Sequence, residues 1–236
     1  MKVLELFSGT ASFSRVARKR GHDTFTVDID GRCNPDLIAD IRTLQAREIV
    51  QKFGSPDVIA ASPECTRFSR AAQWKNWFRV GDRHLPTNPE TCNAVSLVRS
   101  TLRLIEELSP VCWYIENPVG MLRHVDFMAA LPNRVTVTYC QYAQPHEIGE
   151  VPRKATDFWV NDALASAWLP RPVCVRGSLC HLASGWGPRQ GTARRRGVIP
   201  KDLCIELLTA CEMVIQDDPR KTAEFPLCNS AKSGVN

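Results

Sequence analysis

A cysteine and a glutamate each follow a short apolar stretch that is typical of a buried strand. Cys65 comes shortly after residues 57–61, and Glu116 comes directly after residues 111–115. In an open parallel sheet the residues beyond the carboxyl ends of the strands converge on one crevice, so we expect the thiol and the carboxylic acid to face that crevice together. Such a pair can supply a nucleophile and a general acid. Taken alone, however, a cysteine is more often a small buried hydrophobe.

Two other segments suit the binding of a nucleotide-like ligand. The small-residue turn 7–12 follows the first predicted strand and lets backbone N–H groups approach a ligand. Asp28 follows the second strand, in the place of the acidic residue that binds ribose hydroxyls in nucleotide-binding βαβ units. The turn lacks the three-glycine fingerprint, and Asp28 by itself could merely end a strand.

The elements that position these residues alternate between strand and helix patterns. Strands are predicted at 3–7, 24–27, 57–61, 111–115 and 135–139, with another at 158–160, and a closing helix follows residue 200. This order predicts an α/β fold with a doubly wound, mainly parallel sheet. We divide the chain into a catalytic and cofactor-binding domain (1–162), a short basic recognition-like segment (163–196), a closing helix (197–216) and a flexible tail (217–236). Residues 62–89 are predicted to form a long functional loop.

Composition favours a single globular domain in a reducing compartment. The chain has 236 residues, of which 44% are hydrophobic and 23% charged, and no apolar run is long enough to cross a bilayer. No signal peptide follows Met1, and the ten cysteines are irregularly spaced, so cytoplasmic location is expected. One group of possible metal ligands lies close together in the sequence: Cys174, Cys180 and His181. The group has no Cys-x-x-Cys pair, so we predict no metal site.

Two basic segments indicate a polyanionic partner. Residues 163–201 contain no acidic residue but seven basic ones, and residues 67–83 interleave arginine and lysine with four aromatic residues. Basic side chains contact phosphates and aromatic rings stack on bases, so nucleic acid is the favoured partner, although either segment could be a solvated loop. The predicted nucleic-acid contacts are Arg67, Ser69, Arg70, Lys75, Arg79, Arg194, Arg195 and Arg196.

The order of these motifs resembles that of the cytosine-C5 DNA methyltransferase family. Residues 4–9 (Leu-Glu-Leu-Phe-Ser-Gly) are similar to its cofactor motif, residues 62–69 to its catalytic Pro-Cys motif, and residues 116–118 (Glu-Asn-Pro) to its Glu-Asn-Val motif. Residues 141–143 with 153–157 resemble its arginine motif, and residues 197–200 with the following helix resemble its last motif.

The resemblance implies S-adenosylmethionine as cofactor and double-stranded DNA as partner. The residues that it assigns to the cofactor are Phe7, Ser8, Gly9, Thr10, Ser12, Asp28, Ile29, Asp40, Ile41, Pro63 and Val198. The residues that it assigns to catalysis are Cys65, Glu116, Asn117 and Arg153. In that chemistry a thiolate adds to C6 of a flipped-out cytosine, the carboxylic acid acts at N3, and C5 then accepts the methyl group.

The chain also departs from the family pattern. Glu64 replaces the proline before the nucleophile, and its charge should raise the pKa of Cys65 unless Arg67 or Arg153 offsets it. Only about 40 residues separate Lys154 from Arg194, where the family carries a substantial recognition domain. A homo-oligomer or another partner could therefore complete recognition.

The compact chain suits a solitary enzyme of the phage or prophage type. An RNA (tRNA) cytosine-C5 methyltransferase and an inactive cofactor- and nucleic-acid-binding protein are the alternatives.

Overall fold

The fold was analysed in a computed structural model, which describes residues 1–144, 153–175, 178, 180 and 197–219. Within these residues the strands are Lys2–Leu6 (β1), Asp23–Asp28 (β2), Leu37–Ile38 (β3), Val58–Ala61 (β4), Trp77–Val80 (β5), Arg83–Pro86 (β6), Cys112–Pro118 (β7), Arg134–Thr138 (β8) and Ala155–Val160 (β9). The helices are Ser12–Lys19 (α1), Ala46–Phe53 (α2), Gln73–Asn76 (α3), Pro89–Leu108 (α4), Asp126–Ala129 (α5), Asp162–Ala167 (α6) and Lys201–Gln216 (α7).

Seven strands form one sheet in the order β3-β2-β1-β4-β7-β9-β8. The first five in that order pair in parallel, whereas β9 is antiparallel to both of its neighbours. The chain progresses from β1 to β2 in one direction along the sheet and from β1 to β4 in the other. Because the strand order reverses there, a crevice opens beyond the carboxyl ends of β1 and β4. The predicted mainly parallel α/β sheet is confirmed.

Helices cover both faces of this sheet and form two hydrophobic cores. Phe13 of α1 and Leu207 of α7 pack on one face with Tyr114, whereas Ile49 of α2 and Val98 of α4 pack on the other. All four residues of β4 are buried. A continuous apolar strand of this kind is typical of a parallel sheet that is covered on both sides. The central strands are thus fixed in place, and their ends hold the loops that follow them.

The region predicted as one long loop contains regular structure. Strands β5 and β6 form an antiparallel hairpin between short helical turns and α4. Phe68 and Trp77 are buried with ring centroids 5.8 Å apart, and the Trp77 indole N–H donates to the Arg67 carbonyl at 2.8 Å. These two aromatic rings therefore anchor the loop to the core and are not available to stack on bases. Trp74 is 77% exposed and remains available.

The segment after β9 packs on the catalytic domain before the chain reaches the closing helix. Leu164 of α6 and Trp168 are buried in the core that includes α7. Arg171, one of the seven basic residues in the acid-free segment, forms ion pairs with Glu206 at 2.7 Å and Asp202 at 3.5 Å. The predicted boundary at residue 162 therefore falls at the start of a packed helix, and Arg171 binds acidic residues of α7.

Each helix in the described part of the chain is too short or too polar to span a lipid bilayer.

Candidate active site

The turn after β1 forms one wall of a cleft at the predicted crevice. Phe7, Ser8, Gly9, Thr10 and Ser12 all line it, as the sequence predicts for the cofactor segment. Phe7 and Gly9 have positive φ angles of 57° and 47°. A left-handed conformation is uncommon for a residue such as phenylalanine, and strained backbone of this kind is often found at ligand sites.

Asp28 holds this turn in place. One carboxylate oxygen accepts a hydrogen bond from the Gly9 backbone N–H at 2.8 Å, and the other accepts from the Asp30 N–H at 2.9 Å. Each carboxylate oxygen has a second acceptor position, so these contacts leave Asp28 able to accept from a ligand hydroxyl. Asp28 itself is not among the residues that line the cleft.

The other predicted adenosine contacts lie at different distances from the cleft. Ile29 is 66% exposed at the end of β2, whereas Ile41 is buried in the core. The Asp40 carboxylate pairs with Arg42, and the hydrogen bond from Arg42 lowers the pKa of Asp40. None of these three residues lines the cleft as the structure describes it. Pro63 does line it.

Glu5, which is not among the residues predicted from the sequence, also lines the cleft. This residue lies inside β1 and is buried, and its carboxylate accepts from the backbone N–H groups of Phe13 and Ser14 at the start of α1. Burial raises the pKa of Glu5, while the hydrogen bonds from Ser14 oppose that change. The signal for this residue was an acidic side chain inside an otherwise apolar strand.

Cys65 and Glu116 face the same cleft from the ends of neighbouring strands, as the sequence predicts. Cys65 is exposed in the loop after β4, and Glu116 is buried near the end of β7. Asn117 is buried, and its side-chain amide donates to the Pro63 carbonyl at 3.0 Å. That bond joins β7 to the loop that carries Cys65.

Two polar side chains hold the Glu116 carboxylate. The Tyr139 hydroxyl donates to Oε1 at 2.8 Å, and the Lys154 ammonium lies 3.3 Å from the same oxygen. Lys154 also lies 4.7 Å from the centre of the Tyr139 ring. Because the Tyr139 and Lys154 side chains both lie beside Oε1, they fix the carboxylate's orientation.

Lys154, rather than Arg153, is the cation that lines the cleft among the described residues. The Arg153 guanidinium donates to the Cys174 carbonyl at 3.1 Å, and Arg153 is not a cleft-lining residue. Partial burial raises the pKa of Cys65, the Lys154 charge lowers it, and the charges of Glu116 and Glu64 raise it further. Glu64 therefore raises the pKa of Cys65 as the sequence predicts. The positive charge that lowers this pKa comes mainly from Lys154, and not from Arg67 or Arg153.

The segment before α7 closes another side of the cleft. Gly197 and Ile199 line it, and the Ile199 backbone N–H donates to the Ser12 hydroxyl at 3.3 Å. Val198, the residue predicted to contact the cofactor, is 38% exposed and does not line the described cleft. The last motif thus returns to the cofactor turn through the residues on either side of Val198.

The predicted nucleic-acid residues fall into two groups. Arg70, Lys75 and Arg79 are exposed in the segment between β4 and β6, while Arg67 and Ser69 are half-buried there. Arg79 is paired with Asp82 at 3.2 Å. Arg194, Arg195 and Arg196 lie outside the described residues.

Comparisons with known proteins agree with the family resemblance. No protein-family model matches the chain. A protein of Frog virus 3 (isolate Goorha) named "Probable DNA (cytosine-5)-methyltransferase" is 29% identical over an alignment of 235 residues. The match covers 89% of this chain and 100% of the viral protein. The resemblance that the motifs indicate is therefore confirmed along most of the sequence.

Two solved structures also match part of the chain. One is described as a "putative DNA modification methyltransferase encoded within prophage" from E. coli, with 18% identity, a TM-score of 0.49 and coverage of 74% of this chain and 52% of that protein. The other is a DNMT2 mutant from Spodoptera frugiperda, with 20% identity, a TM-score of 0.41 and coverage of 66% and 48%. The matched region spans about half the length of each solved protein.

Proposed function

Because the chain resembles the cytosine-C5 DNA methyltransferase family along most of its length, we propose that it transfers a methyl group from S-adenosylmethionine to C5 of cytosine in DNA. One observation carries the proposal. The turn after β1, Cys65 and Glu116 all line a single cleft at the point where the strand order reverses. In the proposal, the turn would hold the cofactor, and the thiol and the carboxylic acid beside it would act on the same cytosine.

The cleft suits a cationic cofactor. Among the described residues, Glu5, Glu64 and Glu116 contribute three carboxyl groups to its lining, against the one ammonium of Lys154. When bound, S-adenosylmethionine supplies a methyl group on a positively charged sulfur. Acidic residues in a partly enclosed site favour such a cation, and the backbone of residues 7–10 would hold its amino-acid and ribose portions with Asp28.

Cys65 would act as the nucleophile. Its Sγ, as the thiolate, forms a bond to C6 of cytosine, and the electrons of the C5–C6 double bond move so that C5 becomes nucleophilic. After C5 has accepted the methyl group, the C5 proton passes to solvent water, the C5–C6 double bond forms again, and the C6–Sγ bond breaks to release the thiolate. Because Cys65 is exposed at the cleft, a flipped-out cytosine could reach its Sγ atom.

Glu116 would hold the proton at cytosine N3. Addition of the thiolate places electron density on the ring, and a proton donated at N3 stabilises that charge. The contacts from Tyr139 and Lys154 both involve Oε1, so we propose that the other oxygen, Oε2, carries the proton that is donated to cytosine N3. Asn117 would position this pair by tying β7 to the Cys65 loop.

A cytosine inside a duplex cannot present C6 to Cys65, so the proposal requires the base to flip out of the helix. Arg70, Lys75 and exposed Trp74 would contact the phosphates and bases around the flipped nucleotide, and Arg194–Arg196 would contact the duplex.

Each duplex phosphate contact adds roughly 0.9 to the slope of log affinity against log salt. The triple substitution of Arg194–Arg196 with alanine should lower that slope by about 2 to 3, and an unchanged slope would remove these residues from the interface.

The decisive test combines methyl transfer with covalent trapping. The chain is incubated with labelled S-adenosylmethionine and duplex DNA, single-stranded DNA or tRNA, and the nucleosides are analysed. Duplex DNA containing 5-fluorocytosine should form a covalent complex with the wild type, because fluorine at C5 cannot leave as a proton does. Cys65→Ala should neither methylate nor form the complex, whereas Cys92→Ala, which removes another exposed cysteine, should do both.

Three results would contradict the proposal in different ways. Methylation of tRNA alone would assign the same chemistry to RNA. Cofactor and DNA binding without any transfer would make the chain a binding protein. Full transfer by Cys65→Ala would exclude Cys65 as the nucleophile.

A further inference from the structure

Three cysteine thiols meet at a second location, away from Cys65. Cys140 lies in the turn Tyr139–Tyr142 that follows β8, and Cys174 and Cys180 come from the segment after α6. The three Sγ atoms all lie within 4.8 Å of one another, and those of Cys174 and Cys180 are 3.2 Å apart. The cluster thus joins residues that are distant in sequence.

The spacing of the three sulfurs suits a tetrahedral metal site. Zinc binds thiolates at about 2.3 Å, so two sulfurs on one zinc ion are roughly 3.8 Å apart. The Cys174–Cys180 separation of 3.2 Å is about 0.6 Å shorter than that value, and no pair in the cluster exceeds 4.8 Å, so small side-chain movements would bring the sulfurs to it. Three thiolates are soft ligands that favour zinc over magnesium or calcium, which prefer oxygen.

We propose that Cys140, Cys174 and Cys180 bind one zinc ion, which fastens the segment after α6 to the catalytic domain. Cys174 and Cys180 form no Cys-x-x-Cys pair, so their spacing in the sequence predicts no metal site. Cys140 is distant from both in the sequence, and only the fold brings it to them. The proposal goes beyond the proposed methyl transfer and concerns a structural site.

The groups around the cluster already hold its ligands in place. The Cys174 backbone N–H donates to the Thr138 hydroxyl at 2.8 Å, and its carbonyl accepts from Arg153 at 3.1 Å. The side-chain amide of Gln141 lies 3.6 Å from the Cys180 sulfur. Hydrogen bonds to the neighbours of metal ligands, and to the ligand sulfurs themselves, orient a site and strengthen binding.

A zinc ion here would have a clear structural purpose. The residues between α6 and the closing segment before α7 supply few buried apolar side chains within the described part, Trp168 and Cys174 being two of them. A short segment with little core of its own is commonly fastened by a disulfide or a metal. Cys140 adjoins Tyr139, whose hydroxyl binds Glu116, so the same ion would also steady the turn beside the candidate active site.

Zinc content and cobalt spectroscopy of the full chain test this site without any activity measurement. The chain is purified under reducing conditions, dialysed, and analysed for metal by mass spectrometry. Metal-free protein is then titrated with Zn²⁺, and separately with Co²⁺, which gives thiolate-to-metal charge-transfer absorption when cysteines bind it. We expect about one zinc per wild-type chain, cobalt charge transfer, and a higher melting temperature with zinc, because the ion binds only the folded site.

Serine variants identify the ligands. Loss of a residue next to a ligand typically weakens metal binding 10- to 100-fold, so removal of a ligand itself should exceed about 100-fold. Cys140→Ser, Cys174→Ser and Cys180→Ser should each show this loss, whereas Cys33→Ser and Cys92→Ser should bind zinc like the wild type. The wild-type titration decides the question even where a variant fails to fold.

Three outcomes would overturn the proposal. The wild type could bind neither zinc nor cobalt under reducing conditions. A disulfide between Cys174 and Cys180 could persist in the reduced preparation. The control variants could lose zinc as strongly as the cluster variants, which would place the metal elsewhere. Each of these results is read from metal binding and not from methyl transfer, so the failure of one proposal can be told from the failure of the other.

Discussion

Replacing Lys154 with methionine should slow thiolate chemistry at Cys65. The Lys154 ammonium lies 3.3 Å from Glu116 Oε1, and its charge opposes the burial that raises the pKa of Cys65. Methionine keeps most of the apolar stem but removes the charge. The Cys65 thiol should therefore ionise at higher pH in the variant.

The size of this effect follows from the exposure of Cys65. As a reference, unit charges about 4 Å apart interact with roughly 4 kcal/mol at an effective dielectric constant of about 20 and with about 1 kcal/mol in water, and both values fall as the separation grows. Cys65 is exposed at the cleft, so the contribution of Lys154 should lie towards the lower value. A value near 1.4 kcal/mol corresponds to about a tenfold smaller thiolate fraction at any pH below the thiol pKa.

The assay is alkylation of Cys65 by iodoacetamide, followed by peptide mass spectrometry across a range of pH. Only the thiolate reacts, so the rate should rise with pH until the thiol is fully ionised. At neutral pH the Lys154→Met rate should be about tenfold below that of the wild type, and its pH profile should lie at higher pH. Methyl transfer should fall at least as much, because Lys154 also contacts Glu116.

Arg153→Met is the matched control. Arg153 is the next residue in the chain and carries the same charge, but its guanidinium binds the Cys174 carbonyl. It should leave the alkylation profile of Cys65 close to that of the wild type. If Lys154→Met had no effect while Arg153→Met shifted the profile, the assignment of the cleft cation would be wrong and the sequence-based choice of Arg153 would stand.

Three further substitutions have expected outcomes. Glu64→Gln removes an exposed charge that raises the pKa of Cys65, and because exposed charges interact by no more than about 1 kcal/mol, alkylation at neutral pH should become up to about fivefold faster, whereas a slower rate would contradict the sign. Asp28→Ala should weaken S-adenosylmethionine binding by roughly 5- to 150-fold in calorimetry, and an unchanged dissociation constant would limit Asp28 to its contact with the turn. Arg123→Met leaves the fully buried Asp157 carboxylate without its ion-pair partner, which should cost about 3–5 kcal/mol in urea unfolding. The double variant with Asp157→Asn should recover much of that loss.

The sequence alone was sufficient to place the main chemical groups. Cys65, Glu116 and the turn after β1 could be predicted because each follows a local apolar run, and the sheet topology brings the ends of such strands together. The mainly parallel sheet and the closing helix were predictable for the same reason. Hydrophobic periodicity and turn residues are local properties of the chain.

Local patterns could not decide which neighbouring side chain enters the cleft. Arg153 and Lys154 directly precede β9, and in extended chain successive side chains point to opposite sides, so the register of β9 beside β7 selects Lys154. Burial of Phe68 and Trp77 likewise depended on the β5–β6 hairpin and the core beneath it.

The tertiary structure also decided how distant residues combine. Arg171 looks like part of a basic surface in the sequence, but α7 supplies Glu206 and Asp202 to pair with it. Cys140 joins Cys174 and Cys180 only because the turn after β8 meets the segment after α6. Charge pairing and thiol clustering depend on distances of a few ångströms between elements, and the sequence does not contain those distances until the chain has packed.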